Sequence, residues 1–239
     1  MRTVVVTGGG TGIGRAVAAR FAADGADVVI TGRRIDVLHK AAEDIEGSVR
    51  AIVLDGTDPL RTATVAEEIG AVDVLVNNAG GNTDFDRDAP IDLTDVAEAW
   101  RQNLDNNLIS AVLMTTALLP RMPAGSTIIT IGSIAADKGA GSYGAAKAAV
   151  ASWNIDLARQ IGDRGITANV VSPGYIADTE FFRDKLTDDR RTSLVDAAMT
   201  KRAGSPSDIA ATVAFLASSG ARQITGQTVA VNGGEWPSR

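Results

Sequence analysis

The stretch TVVVTGGGTGIG, residues 3–14, sets a short β-branched run directly against a cluster of glycines. β-Branched side chains fit a pleated, buried surface, so residues 3–8 predict a strand. The glycines are spaced Gly8-x-x-x-Gly12-x-Gly14, and an Ala-rich run follows that reads as a helix over 12–23. The pattern is not G-x-G-x-x-G, because position 13 is Ile13. Nor is it a P-loop, because Arg15 and Ala16 stand where Lys and Ser/Thr are required. The physics is shared with both: glycines let the main chain approach a pyrophosphate, and a helix N-terminus supplies N–H donors and a favourable dipole. A plain tight turn would also use glycines. Their place between a first strand and an Ala-rich helix favours the nucleotide reading.

Working outward, apolar runs predict strands at 27–32, 49–55, 72–78, 126–132, 167–172 and 227–233. Helical pattern lies between them near 35–46, 59–69, 93–119, 143–163 and 207–218. The strands are nearly continuous in apolar character, as expected when both faces of a parallel sheet are covered. The alternation predicts one doubly wound, Rossmann-type α/β domain over 1–239, a seven-stranded parallel sheet with helices on both faces. Ser205 is placed to cap the last helix, with Pro206 in its first turn. Two long connections, 80–92 and 174–204, break the rhythm, and the second is expected to act as a substrate lid. Loops after the strands ending near 78, 132 and 172 should line one crevice, since ligands sit beyond the carboxyl ends of such strands.

Composition narrows the chemistry. Of 239 residues 45% are hydrophobic, and 23 basic against 29 acidic residues give a net charge of −6 with no basic run. That argues against nucleic acid or an anionic membrane as the main partner. The absence of cysteine removes thiolate nucleophiles, disulfides and Cys-ligated metals. The single histidine, His39, sits in RRIDVLHKAAEDI, an amphipathic helical pattern, so no metal site is expected. No apolar run approaches a membrane span, and the N-terminus is too short in apolar residues for a signal peptide. A soluble, cytoplasmic protein is expected.

Two further stretches carry chemistry. TGRR (31–34) ends the second strand without the carboxylate that would accept from a ribose diol; Arg33 there can pair with a 2′-phosphate, and Arg15 can add a second charge. Two solvated arginines at a helix start would look the same. Asp55 is placed either for an adenine amine or to cap the turn DGTD. In SYGAAKAAV (142–150), Tyr143 and Lys147 are four apart, hence neighbours on a helix face. A lysine lying over a tyrosine ring explains the pair, and so does an ammonium placed to make a phenol a better acid.

In ordered motifs along nearly its whole length, the chain resembles the short-chain dehydrogenase/reductase family: TGGGTGIG, NNAG (77–80), Ser133 after a strand, YGAAK (143–147), SPG (172–174) and ITGQTVAVNGG (224–234). The nearest flavour is that of 3-oxoacyl-carrier-protein reductases. The resemblance implies hydride transfer between NADP(H), preferred over NAD(H), and a ketone or secondary alcohol. Tyr143 would be the general acid/base, Lys147 would hold the nicotinamide ribose and lower the phenol's pKa, and Ser133 would orient the carbonyl. Asn107, seven residues after Trp100, would anchor a proton-relay water, with Asn103 and Asn106 as competitors by position. The cofactor would be lined by Gly8, Gly10, Thr11, Gly12, Ile13, Gly14, Arg33, Asp55, Gly56, Asn78, Ala79, Gly80, Tyr143, Lys147, Pro173, Gly174, Ile176 and Thr179, with Asp178 competing with Thr179 for the nicotinamide amide. A homotetramer built on the two long helices and the last strand is also implied.

Three departures from the family pattern matter. Ser133 and Tyr143 are only ten apart, which shortens the loop between them and is expected to leave the substrate-side wall open. The threonine after PGYIAD falls one place late. No basic residue adjoins the serine strand, only Arg121 and Arg164 further off, which weakens the acyl-carrier reading. Phe181 and Phe182 read as an apolar lid or as packing onto the sheet; the acidic NTDFDRD (82–88) reads as repelling anions or as solvated surface. A non-catalytic dinucleotide-binding sensor is the rival class, but such a protein should have lost Tyr143 or Lys147, and both are present.

Overall fold

The computed structural model describes residues 2–237. Seven strands form where apolar runs were expected: β1 (Thr3–Thr7), β2 (Asp27–Gly32), β3 (Ser48–Val53), β4 (Val74–Asn77), β5 (Thr127–Ile131), β6 (Thr167–Pro173) and β7 (Thr228–Val231). All pair in parallel, in the order β3-β2-β1-β4-β5-β6-β7. Side chains alternate between two cores. Val4, Val6, Val28 and Ile30 face α1 (Gly12–Ala23), α2 (Ile35–Asp44) and α9 (Pro206–Leu216). Val5, Val29, Leu75 and Ile128 face α3 (Pro59–Ile69), α5 (Ser110–Leu118) and α7 (Gly141–Ile161). The strand order reverses between β1 and β4, so the crevice beyond their carboxyl ends is where a ligand is expected.

Helix starts follow local chemistry. Asp58 and Asp92 cap α3 and α4 (Leu93–Leu104), and Ser205 with Asp208 closes a capping box on α9 behind Pro206, as the sequence predicts. Three stretches differ from expectation. The helix expected over 93–119 is interrupted by a π turn at Asp105–Ile109, between α4 and α5. Residues 174–204 are not one loop; they hold α8 (Asp188–Ala197), started by Thr187 and Asp188–Asp189 at its N-terminus. A short helix, α6 (Ala135–Lys138), occupies the abbreviated connection between Ser133 and Tyr143. Among the described residues no helix is long and apolar enough to cross a membrane.

Candidate active site

Beyond β1 the chain turns through Gly8–Gly10 into α1. The N–H groups of Gly8 and Gly9 donate to Thr31 O at 2.7 and 3.2 Å. From β4, the Asn78 carboxamide donates to Thr7 O at 3.0 Å and Gly8 O at 3.1 Å. The N–H groups of Asn78 and Ala79 converge on Thr7 Oγ1 at 3.0 and 2.9 Å. The two loops flanking the switch point are thereby locked together. Gly14 is the tightest position: a Cβ there would lie 2.2 Å from Gly8 O, so only glycine lets α1 begin this close to the turn.

The start of α1 differs from those of α3, α4 and α9. Its N-cap, Thr11, makes no side-chain cap hydrogen bond, and its first turn holds no carboxylate. Uncapped N–H groups at a helix start are donors for an anion. With Gly10, Thr11, Gly12, Ile13 and Gly14 around them, they fit the pyrophosphate of a dinucleotide. At the adenosine end, Arg34 pairs with Glu180 at 2.7 Å and Arg15 with Asp44 at 3.1 Å, whereas Arg33 makes no ion pair among the described residues. Asp55 accepts from the N–H and hydroxyl of Thr57 at 3.0 and 2.8 Å. The Thr57 N–H is the main reason its carboxyl stays below the ordinary value; burial opposes this, and the Thr57 hydroxyl and Arg33 add to it. Asp55 therefore shapes the turn, with Gly56 tucked beside Ser110.

On the other side of the crevice, α7 carries Tyr143 and Lys147 one turn apart, both buried. Ser133 Oγ accepts from the Ala135 N–H at 3.1 Å, and the Ser133 side chain is near enough to the Tyr143 phenol to lower its pKa. The ten-residue spacing therefore still brings serine to tyrosine. Burial pushes the phenol up to about 12, opposed by Ser133. Desolvation of the phenol outweighs the lowering expected from Lys147. At neutral pH the phenol keeps the proton it would donate. Lys147 Nζ lies 5.8 Å from the Tyr143 ring centroid and donates to Ile131 O at 2.8 Å. Its other N–H groups meet no acceptor among the described residues, which fits the hydroxyls of a nicotinamide ribose.

Burial also pulls Lys147 down from 10.5 to about 8. Between those values the unfolded chain binds more protons than the folded one, so stability rises with pH across that window. A shift of this size is worth about 3 kcal/mol. Denaturant melts of the parent and of Lys147→Met from pH 7.5 to 10.5 should show the parent gaining on the variant as pH rises. A constant difference would mean that the ammonium carries no burial cost.

Asn107 sits in the π turn, buried. Its Oδ1 accepts from Gly81 N–H at 3.0 Å, and its Nδ2 donates to Gly81 O at 3.0 Å and Asn103 O at 2.9 Å. A Cβ on Gly80 would lie 2.5 Å from that Oδ1. The carboxamide thus clamps the loop after β4, and a relay through Asn107 has to use its main chain. The competitor Asn103 is equally committed, donating to Asp84 and to Ser142 Oγ at 3.0 and 2.8 Å. At the end of β6, Pro173 O accepts from the Ile134 N–H at 3.0 Å, and Gly174 packs against Asn232. Ile176 bridges to Gly204. Of the two residues that follow, Thr179 lies against Gly12 while Asp178 is exposed with φ 55.

The Tyr143 ring is covered from the strap 174–204. Phe181 packs on the Tyr143 ring at 5.5 Å between centroids, and Phe85 and Phe182 pack on Phe181. Sequence reasoning missed Thr7, Gly81, Ser142, Asp84 and Phe85. Only Ser142, adjacent to Tyr143, carried a positional hint; the others act through contacts between residues far apart in the chain.

An anion cradle at the sheet's switch point faces a buried phenol whose proton is held at neutral pH. That combination makes the chain a dinucleotide-dependent oxidoreductase acting on carbonyl and alcohol groups. It belongs to the short-chain dehydrogenase/reductase family, with its catalytic tyrosine, Tyr143, at the family's position. Residues 8–235 match the family model described as enoyl-(acyl carrier protein) reductase. The 3-oxoacyl-[acyl-carrier-protein] reductase FabG of Escherichia coli is 38% identical over 242 residues, covering 98% of this chain and 96% of that protein. The 7alpha-hydroxysteroid dehydrogenase of Bacteroides fragilis is 34% identical over 246 residues, covering 98% and 93%. Among solved structures, a blue fluorescent protein from a metagenomic library in complex with NADPH superposes with a TM-score of 0.86 at 35% identity, covering 99% of this chain and 98% of that one.

Proposed function

We propose that this protein is an NADP(H)-preferring carbonyl reductase, working in reverse as a secondary-alcohol dehydrogenase. The observation that carries the reading is Tyr143, buried one helical turn from the buried Lys147 on α7. The nicotinamide, when bound, supplies or accepts the hydride. Ser133 orients the carbonyl oxygen, and Tyr143 gives its proton to that oxygen as charge develops there. Lys147 holds the ribose side of the crevice and places a positive charge near the resulting phenolate. The glycine turn and the α1 amides hold the pyrophosphate, Arg33 the 2′-phosphate, and Thr179 covers the turn from the strap 174–204, which acts as a lid. NADPH oxidation on addition of ketones and aldehydes tests this directly; no consumption with any of them would overturn it.

A carrier-protein-linked substrate, as the name of the Escherichia coli relative describes for that protein, is less well supported. Arg121 and Arg164 precede β5 and β6, at the end of the sheet away from Ser133, and both donate to nearby carbonyls. The homotetramer is supported by apolar side chains left exposed on helices that pack together, Val96 and Trp100 on α4 and Ile155 on α7. Light scattering after size exclusion should give a four-chain mass; a monomer would refute it.

A further inference from the structure

We propose that Phe85 and Phe181 form the specificity wall of the substrate site and select carbonyl compounds that bear an aromatic ring. The inference rests on the carbonyl-reductase reading and names the substrate class for it. The chain is poor in aromatics, yet both of its tyrosines and three of its five phenylalanines gather at one place. Phe181 meets Tyr143 at 5.5 Å with planes tilted by 53°, Phe85 edge-on at 5.7 Å and 88°, and Phe182 edge-on at 5.0 Å and 86°. Tyr175 completes the group against Phe182 at 5.9 Å. These are the separations and angles at which ring quadrupoles attract.

The cluster is one-sided. Between Ser133 and Tyr143, residues 134–142 include no aromatic side chain. A substrate whose carbonyl oxygen reaches Tyr143 therefore meets rings from the Phe181 side and none from residues 134–142. Ring faces and edges on that side suit a flat, polarisable group.

The ring wall is also held in register with the acid. Asp84 accepts from Asn103 Nδ2 at 3.0 Å and from Ser142 Oγ at 3.2 Å, and Ser142 immediately precedes Tyr143. Asp86 takes two hydrogen bonds from Arg183, at 2.9 and 2.8 Å, and Lys185 Nζ donates to Phe85 O. Phe85 is thus anchored on its N-terminal side to the catalytic helix and on its C-terminal side to the segment that carries Phe181. Asp84, Asn103 and Ser142 are positioning residues for this wall.

The test compares acetophenone with cyclohexyl methyl ketone, which is of similar size but has no π system, and with acetoacetyl-N-acetylcysteamine. With NADPH, kcat/KM should favour acetophenone over the cyclohexyl ketone by about tenfold, since each ring pair contributes roughly two- to tenfold. The advantage should lie mostly in KM. Phe181→Leu and Phe85→Leu, which keep apolar bulk, should each bring the ratio towards one. Calorimetric titration of both ketones into the NADP-bound protein gives a readout independent of turnover. Equal or reversed ratios in the parent, preference for the thioester, or a ratio unmoved by the leucine variants overturns the wall. Tighter binding of acetophenone without turnover of any ketone supports the wall and refutes the reductase reading instead.

Discussion

Tyr143→Phe should bind NADPH about as tightly as the parent and lose roughly 10²- to 10⁴-fold in turnover, the usual worth of general acid catalysis. The substitution removes one oxygen and leaves the ring, so the contact with Phe181 at 5.5 Å between centroids survives. What disappears is the hydroxyl beside Ser133 and the proton it holds. The proton's availability follows from burial: with the phenol pushed up to about 12, the donor form persists throughout the neutral range. Single-turnover oxidation of bound NADPH separates chemistry from product release, and fluorescence titration gives the cofactor affinity. Retention of more than about a tenth of the parent's single-turnover rate would assign the acid to another group. A matched loss in cofactor affinity would mean that the hydroxyl supports the binding site rather than the reaction.

The same crevice shows which parts of the design can be read from sequence. Strand positions were legible because a parallel strand covered on both faces is largely apolar, as at Val4–Val6 and Val74–Val76. Gly14 and the Tyr143–Lys147 pair were legible because each is a short-range pattern whose geometry is fixed by one turn of chain. The π turn at Asp105–Ile109 was not, because it adds a residue to a helical pattern without changing its composition. Nor was the role of the Asn107 carboxamide: three asparagines within five residues have the same local signal, and the loop after β4 decides which of them faces Gly81. The rise in the Tyr143 pKa is illegible for a related reason. Spacing along α7 reveals the lysine four residues on, but the desolvation that dominates comes in part from Phe181, distant in sequence. Phe85 and Phe181 were unlinked letters until the strap 174–204 brought them together.

Cofactor choice should be the second large effect: NADP(H) preferred over NAD(H) by roughly ten- to a hundredfold in kcat/KM, the worth of a charge-assisted hydrogen bond. Three arginines lie near the adenosine end, and the structure distinguishes them. Arg15 is engaged by Asp44 and Arg34 by Glu180, while Arg33 follows Gly32 directly and makes no ion pair among the described residues. A planar guanidinium there can grip a 2′-phosphate through two parallel bonds. Gly32 itself supplies no carboxylate to repel that phosphate, and it is replaceable: a Cβ at this position would make only ordinary contact with Leu38, 3.5 Å away. Arg33→Leu alone should bring the two cofactors close to equal. Adding Gly32→Asp should reverse the preference, because the new carboxylate accepts from both ribose hydroxyls and repels the phosphate. Each variant is assayed side by side with NADPH and NADH on one ketone, and 2′-AMP inhibition reports the phosphate subsite without the nicotinamide. If Arg33→Leu leaves both the preference and 2′-AMP inhibition intact, the phosphate is held by Arg34, released from Glu180, and Arg33 points into solvent. If the parent uses NADH as well as NADPH, the end of β2 carries no phosphate subsite at all, and its arginines serve only the lid and the surface.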